Sequence, residues 1–200
     1  MVEDLSPDSW PVAGTEEQFK NWLITVRTDK VRMPDSSHAE RTVVTHIGAV
    51  AVLALDEQDR VLMIRQYRHP VARQLWEIPA GLRDVSGEAL VDTARRELLE
   101  ETGYAAREWH ALIDSYASPG ITSERIRIFL ARGIETAQSD YQREGEEKFL
   151  RTAWVPLAEA VQAALAGKLH NGATIQGILA ARIADAAGYS GLRSADAPET

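Results

Sequence analysis

The sequence predicts an α/β protein, a sandwich of helices about a mixed sheet, preceded by a small antiparallel β arm. Three observations carry this expectation. A nearly continuous apolar run at residues 48–55 reads as a strand, strand-forming runs flank an amphipathic helix at residues 88–102 on both sides, and two further helices follow.

The elements can be justified in order. Residues 1–14 hold Pro7, Pro11, Gly14 and several acids, and read as a loosely packed lead-in. Residues 19–31 are β-rich, and Met33-Pro34-Asp35-Ser36-Ser37 turns the chain into a strand at residues 40–45. This arm, residues 1–45, is expected to be a unit distinct from the main domain, residues 46–200. Asp56 to Asp59 turn the apolar run into a second strand at residues 61–68, and a short strand at residues 75–78 leads into Pro79-Ala80-Gly81. In the helix that follows, Leu90, Ala94 and Leu98 recur every four residues and give it a face to bury, with Gly103 as the C-cap. Strands are expected at residues 109–116, 125–131 and 149–155, and helices at residues 157–166 and 173–186, the last Ala-rich and stopped by Gly188. The tail after Gly191 reads as disordered, and no internal repeat is present.

Composition narrows the function classes. Two hundred residues suffice for a sizeable core, and the 44% hydrophobic and 26% charged fractions are those of an ordinary globular protein. With no Cys there are neither disulfides nor thiolate metal sites, which fits a reducing cytoplasm. No apolar run approaches a membrane span, and Glu3, Asp4 and Asp8 replace the basic start of a signal peptide. A net charge of −8 argues against a nucleic-acid surface, so an anionic ligand must be met by local basic groups and bound cations. His38, His46, His69, His110 and His170 have no metal-ligand spacing.

On the helix at residues 88–102, Glu97 and Glu101 stand at i and i+4, with Glu100 beside them. Taken alone, three Glu on a helix are most often a solvated face. Their carboxylates are also the hard oxygen ligands that suit Mg²⁺. The surrounding spacing favours the second reading. Gly81, Glu88, Arg96, Glu97, Leu98, Glu100, Glu101, Gly103 and Tyr104 fill all nine specified positions of a pattern that resembles the Nudix box. One departure exists: six residues rather than five separate Gly81 from Glu88, which should lengthen the loop before the helix and leave the Glu97–Glu101 spacing intact.

Further motifs are similar to the ADP-ribose pyrophosphatase branch of that family. These are Gln66-Tyr67-Arg68, Trp76-Glu77-Ile78-Pro79-Ala80-Gly81 and Ser118-Pro119-Gly120, with Pro119 sixteen residues past Gly103. The resemblance implies the Nudix fold and a Mg²⁺-dependent hydrolase, Mn²⁺ also serving, that splits ADP-ribose into AMP and ribose 5-phosphate. It implies that Glu97, Glu101 and the Ala80 carbonyl bind metal with Glu100 close by, and that Arg68 and Glu77 belong to the substrate site. It further implies a homodimer whose arm reaches the partner's site, with Trp22 covering adenine and Arg41 as a basic contact. A Trp in a β-rich arm is more often core or dimer interface than a ligand contact, and Arg68 reads equally as a surface Arg at a strand end.

A general base is expected outside the box, because Glu97 and Glu101 would be committed to metal. Residues 137–148 form a polar stretch too long for a tight hairpin and suited to an active-site loop. By the resemblance, counting back from Trp154-Val155-Pro156 points to Glu147, then Glu146, then Glu144. Hydrolysis of other nucleoside diphosphate sugars is the runner-up activity. A non-catalytic ADP-ribose sensor is the alternative class, and retention of every box carboxylate argues against it.

Overall fold

The computed structural model describes Asp4 and residues 9–139, 141–143 and 145–199; the side chains of Glu146 and Glu147 lie outside the described set. The chain divides into two compact units, one of Met1–Ile47 with Ser118–Glu124, the other of Gly48–Ala117 with Arg125–Thr200.

The first unit is a three-stranded antiparallel sheet in the order β1-β2-β3, formed by Val12–Lys20, Ile24–Arg32 and His38–His46. The arm therefore holds one strand more than the sequence suggested. Strand formation begins at Val12, inside the expected lead-in, and residues 19–31 are two strands joined by a turn. Asn21 makes that turn, its Oδ1 accepting the amides of Leu23 at 3.0 Å and Ile24 at 2.8 Å. The second turn falls where Asp35 predicted it, with Asp35 Oδ1 accepting the Ser37 amide at 2.9 Å. Ser118–Glu124 lies along β3, where Val44 donates to the Ile121 carbonyl at 2.8 Å and accepts from the Ser123 amide at 3.0 Å.

The second unit contains two sheets. Five strands run in the order β11-β8-β9-β4-β7, namely Arg193–Ser194, Tyr104–Tyr116, Arg125–Thr136, Ala49–Ala54 and Ala80–Leu82. β4 and β9 are parallel and the other pairs antiparallel, so the sheet is mixed. The smaller sheet is β10-β5-β6, from Arg151–Pro156, Arg60–Arg68 and Arg73–Glu77. Helix α1 is Leu90–Thr102, α2 Leu157–Leu165 and α3 Gly172–Ala186.

β4 is apolar throughout because both of its faces are buried. Val50 and Val52 pack with Ala94 and Leu98 of α1, while Ala51 and Leu53 pack with Leu157 of α2 and Ile178 of α3. This α/β/α layering is the predicted fold class. Helix α1 ends at Gly103, whose φ of 74° lets its amide close on the Leu99 carbonyl.

The tail is the main departure within this unit. Residues 192–199 are held in place: β11 pairs with β8, and the buried Arg127 of β9 donates to the Ala197 and Pro198 carbonyls. A guanidinium carries five donors, and Asp114 takes only part of them through Nε at 2.7 Å and Nη2 at 2.9 Å. The Ala197 and Pro198 carbonyls take two more. A tail poor in apolar residues is thus held by a buried charge, a tie that hydropathy does not register.

Candidate active site

The site is assembled where the two sheets of the second unit exchange the chain. Glu77 ends β6, Ala80 begins β7, and the connector between them is pinned from both sides. Ile78 donates its amide to Thr174 Oγ1 of α3 at 3.0 Å, and the Pro79 carbonyl accepts from Val52 of β4 at 2.8 Å. Thr174 is itself held by Asn171, the N-cap of α3.

Helix α1 docks its acidic face on β7. Glu101, only 6% exposed, accepts the Ala80 amide on Oε2 at 2.9 Å. One turn earlier, Glu97 covers Gly81 so closely that a Cβ there would fall 1.9 Å from Glu97 Cδ. Gly81 therefore lets the Glu97 carboxylate lie directly on the strand. The i and i+4 positions read from sequence are thus seated on consecutive residues of one strand.

Arg96 gathers the remaining acids. Its Nη1 lies 2.7 Å from Glu97 Oε1 and 3.5 Å from Glu100 Oε2, and its Nη2 lies 3.1 Å from Glu88 Oε2 and 3.5 Å from Asp84 Oδ1. Glu88, expected at the helix start, lies before α1 and uses its carboxylate to hold Arg96 and to accept Thr93 Oγ1 at 2.8 Å. The Arg96 hydrogen bond holds Glu88 below the usual carboxylate range despite burial. Glu97 moves the other way. Burial raises it, Arg96 opposes the rise by charge and hydrogen bond, and the charges of Glu100 and Asp84 add to it. In the loop before α1, the Glu88 amide reaches the Val85 carbonyl at 3.2 Å and Gly87 adopts a φ of 80°.

On β5 and β6, Arg68 binds Glu77 with two guanidinium nitrogens, Nε at 3.0 Å to Oε1 and Nη2 at 2.6 Å to Oε2. Glu77 is 1% exposed, whereas the Arg68 side chain reaches solvent. A buried carboxylate thereby orients a cation at the surface.

A NUDIX domain model matches residues 45–175, which include every element of this helix–strand junction. The chain belongs to the Nudix hydrolase family. It is 42% identical to the ADP-ribose pyrophosphatase of Mycobacterium tuberculosis over 79% of this chain and 76% of that one. It is 32% identical to the ADP-ribose pyrophosphatase of Bacillus subtilis over 82% and 87% respectively. A crystal structure of an ADP compounds hydrolase superposes with a TM-score of 0.76 over 92% of this chain and 99% of the other, at 19% identity, and so supports the fold.

Nudix hydrolases use divalent metal ions. The Nudix box of this chain fits such an ion in donor type: Glu97, Glu100 and Glu101 offer hard carboxylate oxygens, and a guanidinium nitrogen already lies against two of them. Among the described residues no three His, Asp or Glu side chains are arranged to hold a metal on their own, since Glu97 and Glu100 face Arg96 and Glu101 engages a backbone amide.

The other expected residues are placed as follows. Trp22 lies in the β1–β2 turn of the first unit, 70% exposed, and Arg41 lies on exposed β3, its Nη1 bonded to the Glu40 carbonyl at 2.9 Å. Backbone of a 3₁₀ turn, Gly145–Phe149, carries Glu146 and Glu147, whose side chains lie outside the described residues, as does Glu144. The sequence reading assigned no partner to Arg96 or Glu88, although the i+8 spacing and opposite charge were visible. It also missed Arg143, whose contact with α1 has no local signal.

Proposed function

We propose that this Nudix hydrolase cleaves the diphosphate of ADP-ribose to AMP and ribose 5-phosphate, with Mg²⁺ as cofactor and Mn²⁺ as a substitute. The observation that carries the reading is the seating of Glu97 and Glu101 on Gly81 and Ala80, a few residues after the Glu77 that holds the surface guanidinium of Arg68. The names of the two similar pyrophosphatases support the substrate. Glu97, Glu101 and the Ala80 carbonyl would hold the metal, with Glu100 adjacent. Bound there, the metal supplies charge withdrawal from the phosphate oxygens. Arg68 binds the diphosphate, and Glu77 fixes the plane of its guanidinium. Glu147, or Glu146 next to it, accepts a proton from water as the water oxygen bonds to phosphorus and the bridging P–O bond breaks. In a cytoplasmic homodimer, Trp22 and Arg41 would serve adenine and phosphate in the partner subunit's site.

The test measures AMP release from ADP-ribose, ADP-glucose and NADH with Mg²⁺ and with Mn²⁺, for the wild type, Glu97→Gln and Glu101→Gln. ADP-ribose should turn over fastest, and each variant should lose roughly two or more orders of magnitude in kcat with its fold intact. Tight ADP-ribose binding without turnover under either metal would establish a sensor instead. Faster turnover of ADP-glucose or NADH would move the substrate to another nucleoside diphosphate.

A further inference from the structure

The last carbonyls of helix α1 are met partly by neighbouring residues and partly by a distant segment. The Leu99 carbonyl is taken by the Gly103 amide at 2.8 Å and the Leu98 carbonyl by Thr102 Oγ1. Tyr104, the residue whose amide would continue the helix to Glu100, donates to Thr102 Oγ1 at 3.2 Å. The carbonyls of Glu100 and Glu101 are met instead by Arg143, through Nε at 3.3 Å and Nη2 at 2.6 Å. Both carbonyls belong to residues whose side chains form the acidic face. A guanidinium suits this place because it bridges two carbonyls at the negative end of the helix.

Arg143 also belongs to the loop that leaves β9 and returns into β10. The start of that loop is tied to the same helix end, the Ala137 amide donating to the Gly103 carbonyl at 3.0 Å. Beyond Arg143 the 3₁₀ turn Gly145–Phe149 carries Glu146 and Glu147, and the buried Leu150 anchors the far side. Glu146 follows Arg143 by three residues, so holding Arg143 on α1 shortens the free length of chain that carries Glu146 and Glu147.

We infer that Arg143 is a positioning residue, a latch that fixes the loop on the C-terminal end of α1 and so limits the positions open to the loop base. This rests on the reading above that the base is in this loop. Arg143 touches neither substrate nor metal in this role. Its loss should lower kcat and leave metal and substrate binding in place.

The test is a double-variant cycle on the full-length protein with ADP-ribose and Mg²⁺. It uses Arg143→Ala, Arg143→Lys, Glu146→Gln, Glu147→Gln and the pairings of each Arg143 variant with whichever Gln variant is slow. Thermal melting confirms folding, and Mn²⁺ binding is followed by electron paramagnetic resonance. Arg143→Ala should lose about tenfold or more in kcat with KM and Mn²⁺ affinity within about twofold, and Arg143→Lys, which can reach one carbonyl, should recover part of the loss. In the slow Gln background, Arg143→Ala should cost nothing further. Wild-type kcat in Arg143→Ala beside a slow Gln variant would overturn the latch and leave the base in the loop. Losses that multiply in the double variant, or Mn²⁺ affinity that falls in step with kcat, would make Arg143 a helix cap and overturn the latch. Wild-type rates in Glu146→Gln, Glu147→Gln and their double variant would remove the base from the loop and the latch with it.

Discussion

Gly81 and Glu97 meet so closely that strand and helix admit no side chain between them: a Cβ on Gly81 would lie 1.9 Å from Glu97 Cδ and 2.2 Å from Oε1. The atoms in the way are the far end of a flexible side chain, so Gly81→Ala should fold and yield by swinging the Glu97 carboxylate aside. A displacement of this size is enough to cost about tenfold to a hundredfold in kcat. The expected result is a melting temperature close to wild type with that loss of turnover. A variant of full activity would show that Glu97 works equally well from another position.

Arg68 and Glu77 separate a structural contribution from a chemical one. Among the described residues, Arg68→Ala leaves the buried Glu77 carboxylate with the Gln66 side-chain amide at 3.4 Å, and should destabilise the fold by about 3 kcal/mol. Adding Glu77→Gln removes the uncompensated charge and should restore much of the stability without restoring turnover. Urea unfolding and ADP-ribose kinetics on the single and double variants measure both effects. If stability and kcat/KM recover together, Arg68 has no separate part in handling the substrate.

The legible part of the molecule is the part written in local spacing. The i and i+4 placement of Glu97 and Glu101, the every-fourth-residue face of Ala94 and Leu98, and Gly103 as cap all follow from helix geometry and recur in the structure. β4 was legible because an apolar run buried on two faces has no polar residue to confuse it. The contacts that escaped are between distant parts of the chain. Arg143 meets Glu100 and Glu101 across 43 and 42 residues, and Arg127 meets Ala197 across 70. Nothing in the periodicity of either partner announces such a bond. The arm's first strand escaped for a different reason: all of its residues are exposed, so it lacks the apolar alternation that marks a half-buried strand.

The ordered tail makes a stability prediction of its own. Removing the residues after Gly191 takes two carbonyl acceptors from Arg127, which is 2% exposed, and takes Arg193 from Asp114, where it lies at 2.8 Å. A buried guanidinium left short of acceptors should cost about 2–4 kcal/mol, read as an earlier midpoint in urea unfolding. An unchanged midpoint would show that water serves Arg127 as well as the tail does.

Asp114 gives the fold a specific acid limb. Burial alone would raise its pKa, but the Arg127 and Arg193 hydrogen bonds and charges overcome this and hold it at about 2, against an ordinary value of 3.8. Because the folded value lies below the unfolded one, the stabilisation is fully present above pH 3.8 and is lost as the pH falls from there through about 2. The shift corresponds to roughly 2 kcal/mol. Asp114→Asn should therefore be less stable than wild type near neutral pH, and its stability should fall less steeply with acid across that window, other carboxylates titrating alike in both proteins. Parallel acid limbs in urea unfolding of the two proteins would show that the Arg127–Asp114–Arg193 cluster does not set the pH dependence of the fold.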